Sequence, residues 1–283
     1  MMVNSINWFP GHMAKTRREI RENLKLVDVV IEIRDARIVY SSSNPDIDNI
    51  CKDKPRIILL NKSDLAEKAV TDKWINSLSN KNVKAIPVNC LQGKGLNSIK
   101  SVINSLLKEK LERMASKGIK EYTIRAMVVG IPNVGKSSFI NKMAKNKIAK
   151  VGNKPGLTKS KQWIKTNLGI ELMDTPGVLW PKFQDEVVGL NLALTGAIKD
   201  EIMDIEELSL KLIKVLQKNC PEKLIERYRI DTIDDDALIN MQNIAAKRGA
   251  LLKGGETDYN RVSIMLIDEF RSGKIGKISL ERP

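Results

Sequence analysis

Short apolar runs recur along the first two thirds of the chain, and each closes on a polar cluster. Val29–Ile33 is a β-branched run of the buried-strand type, ending at Asp35-Ala36-Arg37. Arg56–Leu60 reads as a second buried strand and delivers Asn61-Lys62-Ser63-Asp64. Val83–Val88 reads as a third, ending at Asn89-Cys90-Leu91. Tyr122–Val129 leads into Gly130–Ser137, and Ile170–Met173 ends at Asp174-Thr175-Pro176-Gly177. Residues 1–12 read as extended, and a Ser-rich loop covers Tyr40–Pro45. Helical periodicity fills Met13–Val27, with Ile20, Leu24 and Val27 on one stripe, and Leu96–Ser116, stopped at Gly118. Strands alternating with helices, each strand ending in a polar motif, predict a doubly wound α/β domain that binds ligands along that edge.

Beyond Lys199 the pattern is helical only. Helices are expected over Glu206–Asn219, from Pro221 onward, over Asp234–Arg248 closed by Gly249, and over Asp258–Ser272 closed by Gly273. This divides the chain into an α/β domain over 1–198 and a small all-α domain over 199–283.

Composition changes the picture in one respect. The 283 residues are 42% hydrophobic and 29% charged, as expected for a soluble globular chain, but the formal net charge is +14. One bound nucleotide does not need that excess. A polyanionic partner such as RNA accounts for it, with a generally Lys-rich proteome as the competing explanation. The basic face of the first helix (Lys15, Arg17, Arg18, Arg21, Lys25) is either a phosphate-contacting surface or simply solvated. Cys51, Cys90 and Cys220 lie far apart, without metal or disulfide spacing. No run suits a membrane span or a secretion signal, so a cytoplasmic location is expected.

Gly130-Ile131-Pro132-Asn133-Val134-Gly135-Lys136-Ser137 has the spacing of a phosphate-binding loop, with strand before and helix after. Backbone N–H groups from Asn133 through Val134, Gly135, Lys136, Ser137 and Ser138 would wrap a triphosphate at a helix N-terminus. Lys136 would reach the outer phosphates and Ser137 would ligate Mg²⁺. Asp64 can accept both N1–H and the exocyclic amine of guanine, which favours GTP/GDP over adenine nucleotides. Asn61 would hold the loop, and the Lys62 stem would lie over the ring. A backbone N–H at Asn89 or Cys90 would meet the guanine oxygen. Asp174 would hold Mg²⁺ through water, Gly177 would sense the γ-phosphate, and Thr158 would be a second hydroxyl on the metal.

The guanine motif precedes the phosphate loop, which precedes Asp-Thr-Pro-Gly; this is the order of circularly permuted GTPases. With Asn7-Trp8-Phe9-Pro10-Gly11-His12-Met13, Asp35-Ala36-Arg37 and the helical tail, the chain resembles the ribosome biogenesis GTPase A (YlqF/RbgA) family over essentially its whole length. The resemblance implies an α/β, circularly permuted P-loop GTPase domain with a small all-α C-terminal domain. It implies hydrolysis of GTP to GDP and phosphate, coupled to late assembly of the large (50S) ribosomal subunit, with rRNA bound by the tail. No membrane or DNA is expected as partner, and the protein is expected to be a monomer. Val178 stands where many GTPases carry a water-orienting Gln, so turnover alone should be slow. Two groups could supply what is missing. His12, the only histidine, is either catalytic alongside Lys136 or structural. Asn133 is either a K⁺ ligand or a turn former. Two other functions stay open: an RNA-assembly scaffold with a mainly structural nucleotide, and a permuted GTPase acting on another RNA.

Overall fold

The computed structural model describes residues 10–51, 53–119, 121–145, 163–175 and 185–283, with the side chains of 10–16 and of 202 outside that description. Thr158 and Gly177 lie outside the described residues. The described residues fall into two compact units: those of 10–175 together with Glu281–Pro283, and 185–280. The change of unit falls at Gln184, ahead of the 198/199 boundary expected from the sequence.

The larger unit opens with α1 (Pro10–Leu24), followed by β1 (Val29–Asp35), α2 (Pro45–Cys51), β2 (Arg56–Asn61), α3 (Lys68–Leu78) and β3 (Val83–Pro87). Then come α4 (Ile99–Leu106), α5 (Lys108–Ser116), β4 (Ile124–Val129), α6 (Lys136–Met143), β5 (Trp163–Lys165) and β6 (Ile170–Asp174). The sheet runs β3-β2-β1-β4-β6-β5, parallel except for the antiparallel edge strand β5. The expected doubly wound architecture is the one observed. β1 and β4 lie at its centre, and each is covered on both faces, so their residues are almost wholly buried.

Several local expectations change. α1 begins at Pro10 rather than after His12, because proline at a first helical position lacks only an N–H that the helix would leave unpaired anyway. The expected Leu96–Ser116 helix is a 3₁₀ turn (Leu96–Ser98) plus two helices, broken at Leu107, which buries its side chain. β3 is an edge strand with only Ala85 buried, not a fully buried one. Two cations of α1's basic face have protein partners: Arg17 with Asp46 at 2.5 Å and Arg18 with Glu22 at 3.0 Å.

β1 also buries charge. Glu32 takes Arg34 on one carboxylate oxygen and Arg56 on the other, at 2.6 and 2.9 Å. Asp48 of α2 closes the group by accepting from both arginines and from Ser43. A charge buried this deeply is tolerable only with its partners in place.

The second unit holds α7 (Glu186–Leu194), α8 (Ile205–Asn219), α9 (Pro221–Tyr228), α10 (Ala237–Arg248) and α11 (Tyr259–Arg271). Aspartates cap four of these helices: Asp185, Asp204, Asp236 and Asp258 each accept backbone N–H groups of the first turn. Leu208, Leu212, Ile213 and Leu216 of α8 are buried, as are Met241 and Ile244 of α10 and Val262, Leu266 and Phe270 of α11. Arg271 explains why α7 belongs here. It donates to the Ala193 and Leu194 carbonyls at the end of α7 and forms a two-bond ion pair with Asp200. Among the described residues, no helix is long and apolar enough to cross a membrane.

Candidate nucleotide site

The carboxyl ends of β1, β2, β4 and β6 bring the sequence motifs to one edge. Asn61 joins three of the segments. Its side chain, 4% exposed, donates from Nδ2 to the Val134 carbonyl at 2.6 Å and accepts the Cys90 N–H on Oδ1 at 2.9 Å. One amide therefore fastens the guanine motif to the phosphate loop and to the loop after β3. Gly135 makes room for it: with φ of +103°, this residue favours glycine, and a Cβ there would fall on Asn61 Nδ2.

The Asn61–Cys90 bond bears on the role expected of residues 89 and 90. The Asn89 N–H donates to the Lys94 carbonyl at 3.0 Å and the Cys90 N–H to Asn61, so both groups assigned to the guanine oxygen are already engaged. Burial pushes the Cys90 thiol up to about 12, so it remains a neutral packing group.

Gly130 has φ of +150° and Asn133 φ of +58°, so with Gly135 the phosphate loop passes three times through backbone conformations that L residues rarely adopt. Asparagine is among the few non-glycine residues at ease in the left-handed region, which by itself accounts for Asn133. Lys136 opens α6 and is 9% exposed. Its ammonium donates to the Gly130 and Ile131 carbonyls at 3.0 and 2.9 Å, folded back over its own loop. Burial lowers its pKa to about 8, and the charge of Asp174 works the other way. Ser137 and Ser138 follow it, exposed in the first turn of α6.

Asp174 ends β6, where Thr175 Oγ1 donates to the Val128 carbonyl at 2.7 Å and locks β6 to the end of β4. The Asp174 carboxylate meets solvent yet is flanked by protein. That partial desolvation raises its pKa, against the pull of Lys136. A carboxylate short of positive charge, within electrostatic reach of a buried lysine, has the chemistry that suits a Mg²⁺–phosphate group. Among the described residues, no three His, Cys, Asp or Glu side chains converge to hold a metal. Mg²⁺ is usually held by one or two protein oxygens with phosphate and water completing the shell.

On the guanine side, Lys62 has φ of +57° and its ammonium lies 2.9 Å from Asp35 Oδ2. Arg37 grips the same carboxylate with two bonds, and both residues are 2% exposed. The sequence placed Asp35-Ala36-Arg37 at the binding edge, but no spacing rule couples it to Lys62.

A phosphate loop and an Asn-Lys-x-Asp loop, tied by one asparagine at the carboxyl edge of a parallel sheet, define a P-loop GTPase. Here the guanine motif comes before the phosphate loop in the chain. A family model described as 50S ribosome-binding GTPase matches residues 125–243; it begins in β4 and leaves the guanine motif upstream. Ribosome biogenesis GTPase A of Bacillus cereus is 48% identical over 278 residues, covering 98% of this chain and 94% of that protein. A solved GDP-bound YlqF shares 28% identity and a TM-score of 0.65, covering 94% of this chain and 99% of that one. GNP-bound YlqF from T. maritima gives a TM-score of 0.63 at 28% identity, covering 95% and 98%. The chain belongs to the ribosome biogenesis GTPase A family. Guanine nucleotide is its ligand, and GTP hydrolysis its activity.

Proposed function

We propose that this GTPase acts in late assembly of the large ribosomal subunit, hydrolysing GTP slowly alone and faster when docked on that particle. The observation that carries this is the nucleotide site itself. Asn61 locks guanine and phosphate recognition together, while Val178 follows Asp174-Thr175-Pro176-Gly177 and cannot orient water. The net charge of +14 supports an RNA-rich partner, as do the names of the relatives. The helical unit would bind rRNA, and the protein would work as a monomer in the cytoplasm.

In this reading Asn61, Lys62 and Asp64 hold the base, residues 133–138 wrap the phosphates, and Ser137, Asp174 and Thr158 hold Mg²⁺. The metal would neutralise charge on the transferred phosphoryl group. Gly177 would sense the γ-phosphate. His12 would position the attacking water. In support, α1, the helix that carries this residue, packs Ile20 into the same buried cluster as Val30 of β1 and Met127 and Val129 of β4. Asn133 would hold K⁺ in place of an arginine finger.

GTP turnover with and without purified large subunits, in K⁺ and in Na⁺, tests the proposal. Stimulation specific to large subunits is expected, and it should be lost in His12→Ala while GTP affinity is kept. Stimulation by small subunits or tRNA alone would redirect the function to another RNA. No stimulation by any RNA would favour the scaffold. Equal rates in the two salts would remove K⁺.

A further inference from the structure

Asp35-Ala36-Arg37 ends the central strand, yet the nucleotide chemistry above gives it no task. In the β1–β2 register Asp35 pairs with Asn61, so the motif runs alongside the guanine-reading loop. The Ala36 N–H donates to the Asn61 carbonyl at 2.8 Å, which carries the ladder one residue beyond the strand. From there the side chains reach sideways. Asp35 Oδ1 accepts the Arg37 backbone N–H and Nε, both at 3.0 Å, and Oδ2 accepts Arg37 Nη2 at 2.8 Å. Oδ2 also holds the Lys62 ammonium. Ser42 Oγ accepts the Asp35 N–H at 3.0 Å, so the carboxylate's own backbone is pinned as well.

We propose that Asp35 and Arg37 are positioning residues for guanine recognition, setting the Lys62 side chain over the base. Lys62 needs such a holder. It occupies the left-handed region, which a lysine enters only when its surroundings impose it, and its flexible stem would otherwise sample many rotamers. A buried carboxylate that takes the ammonium fixes the far end of that stem, leaving its methylenes to cover the purine face. Arg37 makes this possible: its bidentate pairing compensates the buried charge of Asp35, and its guanidinium is also within electrostatic range of Asp64. The motif thus grips one base-reading residue and electrostatically faces another.

This rests on reading Asn61–Asp64 as the base-binding loop, which Asp64→Asn tests separately. That change reverses the hydrogen-bond pattern, so preference should move from GDP to XDP. Retained preference for GDP would sink the loop assignment itself. For the proposal, GDP affinity is measured by calorimetry in a double-mutant cycle of Asp35→Asn and Lys62→Met. Alone, Asp35→Asn is expected to weaken GDP about tenfold, and in the Lys62→Met background less than about twofold, because its route to the base is already cut. Equal losses in both backgrounds would mean that Asp35 acts on the fold and not through Lys62, which overturns the proposal. If Asp35→Asn does not fold, Lys62→Met alone must weaken GDP about tenfold, since it keeps the stem and loses the grip. Unchanged affinity there overturns it equally.

Discussion

Lys136 shows how a single buried cation shapes ligand binding. Its ammonium donates to two carbonyls of its own loop, and burial lowers its pKa to about 8. A triphosphate supplies the negative charge that this lysine lacks and would hold it protonated well above that value. The free protein therefore loses the proton as pH rises through 8, and binding must take one up again. GTP affinity should be flat below about pH 7 and fall by up to about tenfold per pH unit above 8. Titrations in buffers of different ionisation enthalpy should show the matching proton uptake. Affinity independent of pH up to 9 would mean that the lysine stays charged in the free loop. The sequence identified Lys136 by spacing alone, since the loop pattern defines it. Neither its resting contacts nor its lowered pKa was legible, because both depend on backbone carbonyls that only the folded loop turns inward.

At the scale of elements, the segment joining β3 to β4 links the Asn-Lys-x-Asp half of the sheet to the phosphate loop, and one aspartate anchors it. Asp28, just ahead of β1, exchanges two bonds with Arg125 of β4: its N–H donates to the Arg125 carbonyl, and its carboxylate accepts the Arg125 N–H, each at 2.8 Å. The same carboxylate takes Lys110 of α5 and the Tyr122 hydroxyl. Burial pushes the Asp28 carboxyl up, but the Arg125 N–H, Lys110 and Tyr122 together bring it below the usual carboxylate range. A folded-state pKa below the unfolded one gives stability that is present above about pH 4 and lost as pH falls toward the folded value. Asp28→Ala should cost about 2–4 kcal/mol in urea unfolding at neutral pH, because it strands a buried N–H and an ion-pair partner. Lys110→Met should cost less, since the hydroxyl and amide contacts survive. Equal losses would place the anchor in the ion pair. Periodicity predicted helix across this segment, but not its break at Leu107, which serves tertiary packing.

At the scale of the whole molecule, the last three residues belong to the GTPase unit. The Glu281 carboxylate accepts the Tyr40 and Ser41 N–H groups and the Ser41 hydroxyl, its carbonyl accepts from Trp74 Nε1 at 3.4 Å, and Arg282 pairs with Glu67. Ser42, next in that loop, holds the Asp35 backbone. Glu281→Ala removes the acceptor of two loop N–H groups and should cost about 1 kcal/mol. Calorimetry of the full chain should show the GTPase transition lowered by ~2–4 °C. An unshifted transition would mean that water replaces the carboxylate without loss. Nothing in a charged C-terminal tripeptide announces such a contact from sequence; it joins residues some 240 positions apart.

What the sequence determined by itself was local or periodic. Every strand but β5, the capped helices, the phosphate loop and the Asn-Lys-x-Asp loop each carry their signal within a few residues, and the order of the motifs pointed to the family. The tertiary structure decided what depends on distant partners. Asn61 bonds to Val134 and Cys90, Asp35 to Lys62, and Arg271 to the end of α7, which moved the unit boundary to Gln184. Propensity and spacing act along the chain, whereas a buried polar group takes whichever partner the fold brings within reach.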